Sequence, residues 1–209
     1  MQLYNLTSIF MNMELYIEIL GTAVGLIYLW LEYKASIYLW IAGIIMPAIY
    51  LYIYYNAGLY ADFGINIYYL VIALYGFIAW KTGFSFTKKH KENKELHITH
   101  ISTKDIYKAL TAYIIAQIAI AWLLINHTDS TVPLADSFTT ALSIVGMWML
   151  ARKYIEQWGV WCVVDAACSA LYVYKGLHFT AALYAVYAII SIFGYLKWKK
   201  LMQNEEQSI

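Results

Sequence analysis

Long apolar runs separated by short polar breaks divide the chain into seven segments, at about 14–31, 36–55, 62–80, 106–125, 134–151, 158–174 and 178–196. Each is close to the roughly 20 residues a helix needs to cross a bilayer. The breaks carry turn and cap chemistry. Leu31-Glu32-Tyr33-Lys34 ends the first run, Asn56-Ala57-Gly58 the second and Lys81-Thr82-Gly83 the third. Ser102 or Thr103 is placed to cap the fourth helix, and residues 126–133 form a polar turn before the fifth. Arg152-Lys153, Lys175-Gly176 and Lys197-Trp198-Lys199-Lys200 follow the last three runs. Tyr and Trp gather toward the ends of the runs, where membrane interfaces favour them.

A second pattern is superposed on the first. At a constant offset of 118 residues Trp30 matches Trp148, Trp40 matches Trp158, Tyr54 matches Tyr172 and Tyr69 matches Tyr187. Gly58-Leu59 matches Gly176-Leu177, Gly76 matches Gly194, and Trp80-Lys81 matches Trp198-Lys199. Three helices are therefore followed by one connecting helix and then by three more of the same kind. With a single helix between them, both units enter the membrane in the same direction. The expected architecture is an all-α integral membrane protein with seven transmembrane helices in a parallel 3+1+3 repeat. Its parts are 14–81, the first unit; 82–133, a cytoplasmic linker plus the connecting helix; 134–200, the second unit; and 201–209, a cytoplasmic tail. Such repeats occur in transporters whose site lies between the units near mid-membrane.

Composition agrees, with 62% hydrophobic and 13% charged residues against about 25% charged in an average chain. A mean hydropathy of +0.57 excludes a soluble domain. Charge fixes an expected orientation. Lys34, Lys81, Lys88, Lys89, Lys91, Lys94, Lys104, Lys108, Arg152, Lys153, Lys197, Lys199 and Lys200 fall on one side, and Lys175 alone on the other. Basic residues mark the cytoplasmic face, so the N-terminus is expected outside and the C-terminus in the cytoplasm. The net charge of +1 gives no reason to expect nucleic acid. Cys162 and Cys168, six residues apart in one run, point to different helix faces and imply neither a disulfide nor a metal pair.

Candidate chemistry concentrates between Trp158 and Tyr174. Trp158, Trp161, Asp165 and Tyr172 stand at i, i+3, i+7 and i+14, on one helical face. A carboxylate deep in an apolar run costs roughly 2.5–3.5 kcal/mol in lipid, so Asp165 must face protein or a wet cavity. Two indoles beside an anion suit a flat cationic ring; the alternative is that Asp165 pairs with a neighbouring helix and the indoles only pack. Where the two repeats differ, Asp165 replaces Pro47, Trp161 replaces Gly43, and Asn66 and Asp62 stand where the second repeat has Tyr184 and Thr180. Asn66, with donors and acceptors to satisfy, and Tyr69 nearby are candidate ligand contacts. Asp62 reads as a cap or helix-dipole partner. Pro47 and Trp40 are candidates for a hinge or gate. Gln117 is expected to bond a neighbouring helix, and Glu156 to pair with Arg152 at i−4. His97 and His100 are a weak metal signal, and no metal or cofactor is expected. The chain has no G-x-x-x-x-G-K-[ST] loop, no H-E-x-x-H or G-x-S-x-G motif, and no lysine within the seventh run for a retinal Schiff base, so neither an enzyme nor an ATP-driven pump is expected.

The run Glu156-Gln157-Trp158-Gly159-Val160-Trp161 with Asp165, the stretch Gly58-Leu59-Tyr60-Ala61-Asp62, Tyr75-Gly76 and the closing Gly194-Tyr195 and Trp198 together resemble the PnuC-type vitamin transporters. The resemblance covers about 14–200. It implies a fold related to the SWEET sugar transporters and facilitated passage of nicotinamide riboside across the bacterial inner membrane, with trapping by a cytoplasmic vitamin kinase. The family's W-x-x-W stacking pair falls on Trp158 and Trp161. This chain departs at Ile65-Asn66, where many riboside-type members carry Leu-Gln, and a thiamine-carrying branch has an equally cationic ring as substrate. The implied partners are a small vitamin, the bilayer and the kinase, with self-association into a homo-oligomer left open. A seven-helix receptor or sensory module, with the 82–105 linker binding a partner, is the reading from a different class.

Overall fold

The computed structural model describes residues 24–57, 60–83 and 96–207. Among these described residues seven helices follow one another: α1 Val24–Tyr33, α2 Tyr38–Ala57, α3 Tyr60–Thr82, α4 Thr103–His127, α5 Pro133–Ala151, α6 Gln157–Tyr174 and α7 His178–Gln207. Among the described residues there is no strand, and one isolated bridge joins Thr99 to Tyr154. Residues 14–23 of the first expected span, the linker lysines at 88, 89, 91 and 94, the pair 58–59 and the side chain of Asp62 lie outside the described set. Four helices, α3, α4, α5 and α7, are long and apolar enough to cross a membrane.

Local chemistry accounts for the helix ends. Ser102 Oγ accepts from the Asp105 amide at 3.2 Å and caps α4. Pro133 opens α5, where its missing N–H costs nothing. Gly176, at φ +74, ends α6 in a left-handed turn. The last helix departs from expectation by running about ten residues beyond 196. Lysines mark where lipid ends, not where a helix must; Trp198 is fully buried and Met202 nearly so, and that packing carries α7 onward.

The offset of 118 reappears as packing. Trp40 lies over Gly76, where an added Cβ would stand 2.5 Å from the ring, and Trp158 lies over Gly194 with the same clearance. Trp40 meets Trp80 edge-on at 5.5 Å and 87°, and Trp158 meets Trp198 at 5.8 Å and 86°. Ala35 and Lys153, equivalent turn residues, have φ of 50 and 52. The repeats also exchange bonds. The Trp80 indole donates to the Leu150 carbonyl at 3.2 Å, and the Trp198 indole donates to the Glu32 carbonyl at 3.0 Å. Each bond is the image of the other, and the Trp80–Trp198 contact at 6.2 Å maps onto itself. That is a pseudo-two-fold relation, and these tryptophans with Leu150 and Ile155 form the main core.

Residues 96–102 lie across this end of the bundle. Leu96 N–H reaches the Trp80 carbonyl, Thr99 N–H the Lys153 carbonyl, and Ile155 N–H the Thr99 carbonyl. Glu205 accepts from the Ile98 amide and contacts His97. Glu156 accepts from the Ile101 amide and contacts His100. The expected Glu156–Arg152 pair does not form, because the linker's amide and imidazole occupy the carboxylate. Arg152 instead donates to the hydroxyls of Tyr75 and Tyr154. The two histidines sit in separate ion pairs, not in a shared site. At the other end, Lys175 pairs with Asp136 at 3.0 Å.

Helix α4 stands apart from this exchange. Its Ile115, Ile118 and Trp122 are each more than half exposed, which for an apolar helix means lipid contact. Its Gln117 donates to Ser137 of α5 at 2.9 Å, the expected interhelical bond.

Candidate functional site

A cavity of about 620 Å³ opens between the two sets of helices, within the usual range for a small-molecule site. Every helix except α4 contributes to its lining. From α6 come Trp161, Val164, Asp165, Cys168 and Tyr172, spaced at three, four or seven residues so that one face of the helix fronts the cavity. Helix α1 contributes Gly25, Tyr28 and Glu32, again one turn apart. Helices α2 and α3 bring Gly43, Pro47 and Tyr69, α5 brings Thr139, Thr140, Ser143 and Met147, and α7 brings Tyr184, Tyr187 and Ser191.

Asp165 is 8% exposed, and its one hydrogen bond is a long one, 3.5 Å from the Ser191 hydroxyl. It pairs with no cation, and no Lys, Arg or His lines the cavity, among the described residues. Trp161 packs its indole against Gly146 of α5, and its Nε1 is buried without a partner. An indole ring one turn from a carboxylate with no counter-charge among the described residues suits a flat cationic ring, which the indole face and the anion both attract. The tyrosines continue the aromatic wall: Tyr172 and Tyr184 are 5.1 Å apart, and Tyr184 and Tyr187 are 5.7 Å apart. On α5 the hydroxyls of Thr139, Thr140 and Ser143 donate to carbonyls three or four residues back. Their protons are used, so toward the cavity they offer lone pairs.

Five of the eight expected site residues line the cavity: Trp161, Asp165, Tyr69, Tyr172 and Pro47. Trp158 does not. It is 1% exposed, wedged between Gly194 and Trp198, because helix packing encloses its ring. Trp40 is its counterpart over Gly76 and is likewise fully buried. Asn66 sits half-buried on α3 outside the lining. Sequence reasoning missed Glu32, Tyr28, the α5 hydroxyls and the α7 tyrosines. Glu32 stands at a span end, where a charge ordinarily marks the limit of the lipid, although the offset that singles out Asp165 also pairs Glu32 with Leu150. The α5 residues Thr139, Ser143 and Met147 recur at four-residue spacing, a stripe that periodicity shows.

The profile of the nicotinamide mononucleotide transporter family matches residues 15–200. The nicotinamide riboside transporter PnuC of Neisseria mucosa is 25% identical over 153 residues, 69% of this chain and 57% of that protein's length. Escherichia coli PnuC is 21% identical over 202 residues, covering 88% of this chain and 84% of that protein. The riboflavin/roseoflavin transporter RibM of Streptomyces davaonensis is 25% identical over 130 residues, 62% and 59% of the two chains. A crystal structure of the vitamin B3 transporter PnuC superposes with a TM-score of 0.62 at 21% identity, over 88% of this chain and 80% of that one. That likeness gives the fold.

Proposed function

The chain belongs to the nicotinamide mononucleotide transporter family, and from that premise we propose that it carries a cationic aromatic vitamin across the bacterial inner membrane, nicotinamide riboside first. One observation carries the reading: Asp165, buried one turn from the Trp161 indole, in a cavity whose described lining holds no basic residue. A phosphorylated nucleotide would bring its anion into a cavity that offers carboxylates and no cation, a pairing that costs energy at low dielectric. Riboflavin fits the aromatic wall, yet its neutral ring leaves Asp165 without a counter-charge. The riboside supplies both the ring and the charge. Thiamine supplies them too and is the second compound this chemistry admits.

In this reading the N-terminus is outside and the C-terminus cytoplasmic, and the two three-helix units rock about the cavity without ion or ATP coupling. A cytoplasmic kinase traps the product. Trp161 stacks the ring, Asp165 balances its charge, Tyr69 and Tyr172 contribute wall and hydroxyls, and Pro47, inside α2, serves as its hinge.

Calorimetry on purified protein, with uptake into liposomes, tests this with nicotinamide riboside, thiamine and riboflavin. The riboside is expected to bind most tightly. Asp165→Asn and Trp161→Ala are each expected to weaken it tenfold or more, about 1.4 kcal/mol per decade. Preferred binding of riboflavin, or no response to either substitution, would sink the reading.

A further inference from the structure

We propose that Glu32 is a second ligand-reading carboxylate in this cavity. It accepts from hydroxyl or amine donors at the end of the ligand remote from the ring that Trp161 and Asp165 hold. The proposal rests on the transport reading above and adds the far end of the substrate to it.

Glu32 is 3% exposed and lines the cavity, and its Oε1 has no hydrogen-bond partner. Tyr28, one turn away on the same face, has an equally unpartnered hydroxyl. Gln157 stands beside Glu32, yet neither of its side-chain polar atoms has a partner in good geometry. Native interiors leave few such groups unsatisfied, and each costs about 1–3 kcal/mol. Gln157 is fully buried and outside the lining, so the unsatisfied pair that faces the cavity is Glu32 and Tyr28, and that pair asks for a molecule that satisfies it.

The fold itself does not ask for a carboxylate here. The Glu32 backbone carbonyl takes the Trp198 indole. Its repeat equivalent, Leu150, takes the Trp80 indole in the same way with an apolar side chain that is fully buried. The structural duty of the position is thus met by leucine, and the charge in the first repeat is surplus to it. No salt bridge among the described residues neutralises Glu32.

Geometry sets what the ligand must be. Glu32 is at the level of Trp198, Trp158 and Gln157, and Asp165 lies seven residues beyond Trp158, about 10 Å along α6 at 1.5 Å per residue. The two carboxylates line different levels of one cavity, near enough for Asp165 to act electrostatically on Glu32. The fitting molecule is elongated, with a cationic aromatic ring at one end and neutral donor groups at the other. The α5 hydroxyls, presenting lone pairs between them, favour the same donor-rich arm.

The experiment compares two ligands that share a ring and differ in the arm: nicotinamide riboside and 1-methylnicotinamide, titrated against purified full-length protein by tryptophan fluorescence and calorimetry. Glu32→Gln and Glu32→Leu are expected to weaken the riboside tenfold or more and to leave 1-methylnicotinamide within about twofold. Asp165→Asn is expected to weaken both. Glu32→Leu borrows the side chain its counterpart already carries, and an unchanged melting temperature would show that it folds. Riboside binding unchanged in both Glu32 variants, or an equal loss for both ligands, would overturn the assignment while leaving the transport reading intact. If wild-type protein binds thiamine instead, the same contrast is made between thiamine and its analogue lacking the hydroxyethyl arm. If wild-type protein binds none of these, the transport reading and the Glu32 assignment fall together.

Discussion

Cys168 is one turn beyond Asp165 on α6 and lines the cavity, whereas Cys162 does not. Both are free thiols. A cationic methanethiosulfonate reagent forms a mixed disulfide with an accessible thiolate, releasing methanesulfinate, and the Asp165 carboxylate concentrates such a reagent near Cys168. In a Cys162→Ser protein, modification of Cys168 is expected to slow severalfold when nicotinamide riboside is present, as read by mass spectrometry. A rate indifferent to the riboside would place the ligand elsewhere. Neighbouring residues show what could be read from the chain alone. Trp161 and Asp165 were legible because they have no aromatic or acidic counterpart 118 residues earlier. Trp158 does have one, Trp40, and both proved to be wedges over glycines. Glu32 was obscured by its place at a span end, beside Lys34, where charge normally signals water. Its backbone carbonyl is held by a tryptophan 166 positions away, a contact no local pattern encodes.

Between elements, the glycine–tryptophan wedges set how closely α2 meets α3 and α6 meets α7. A methyl at Gly76 or Gly194 would stand 2.5 Å from ring carbons that are held on both sides. Overpacking of that kind costs about 1–3 kcal/mol, occasionally more. Gly76→Ala and Gly194→Ala are expected to lower the melting temperature of the detergent-solubilised protein by several degrees, and by similar amounts. Gly159→Ala meets nothing within 4 Å and gains helix propensity of up to about 1 kcal/mol, so it should match wild type or exceed it. The elements themselves were largely legible, since apolar length and turn residues locate helices well. Their ends were less so: α7 runs on past its lysines because Trp198 and Met202 are buried by partners from other helices. The pairing of Glu156 with the linker, in place of Arg152, likewise depends on a segment that crosses the bundle end from 50 residues upstream.

Across the whole molecule, charge is sorted by end. Arg152 and Lys153 sit with the tryptophan core, and Lys175 with Asp136 opposite. With Cys162 and Cys168 replaced by alanine, Lys199→Cys is expected to resist a membrane-impermeant maleimide on intact cells and Lys175→Cys to react. The reverse pattern would invert the proposed orientation. The two exchanged indole bonds, Trp80 to the Leu150 carbonyl and Trp198 to the Glu32 carbonyl, have a mechanical consequence. Two bodies fastened only there would keep one freedom, rotation about the line joining the fasteners. Tyr68 donating to the Ile144 carbonyl at 2.6 Å and Arg152 donating to Tyr75 tie the same halves, so a swing must also stretch or break those bonds. Any rocking of the halves that keeps both indole bonds must swing about that line. Displacement grows with distance from it, so the travel is small at Glu32, larger at Asp165, and greatest at the far rim, whose second-unit side carries the Lys175–Asp136 pair.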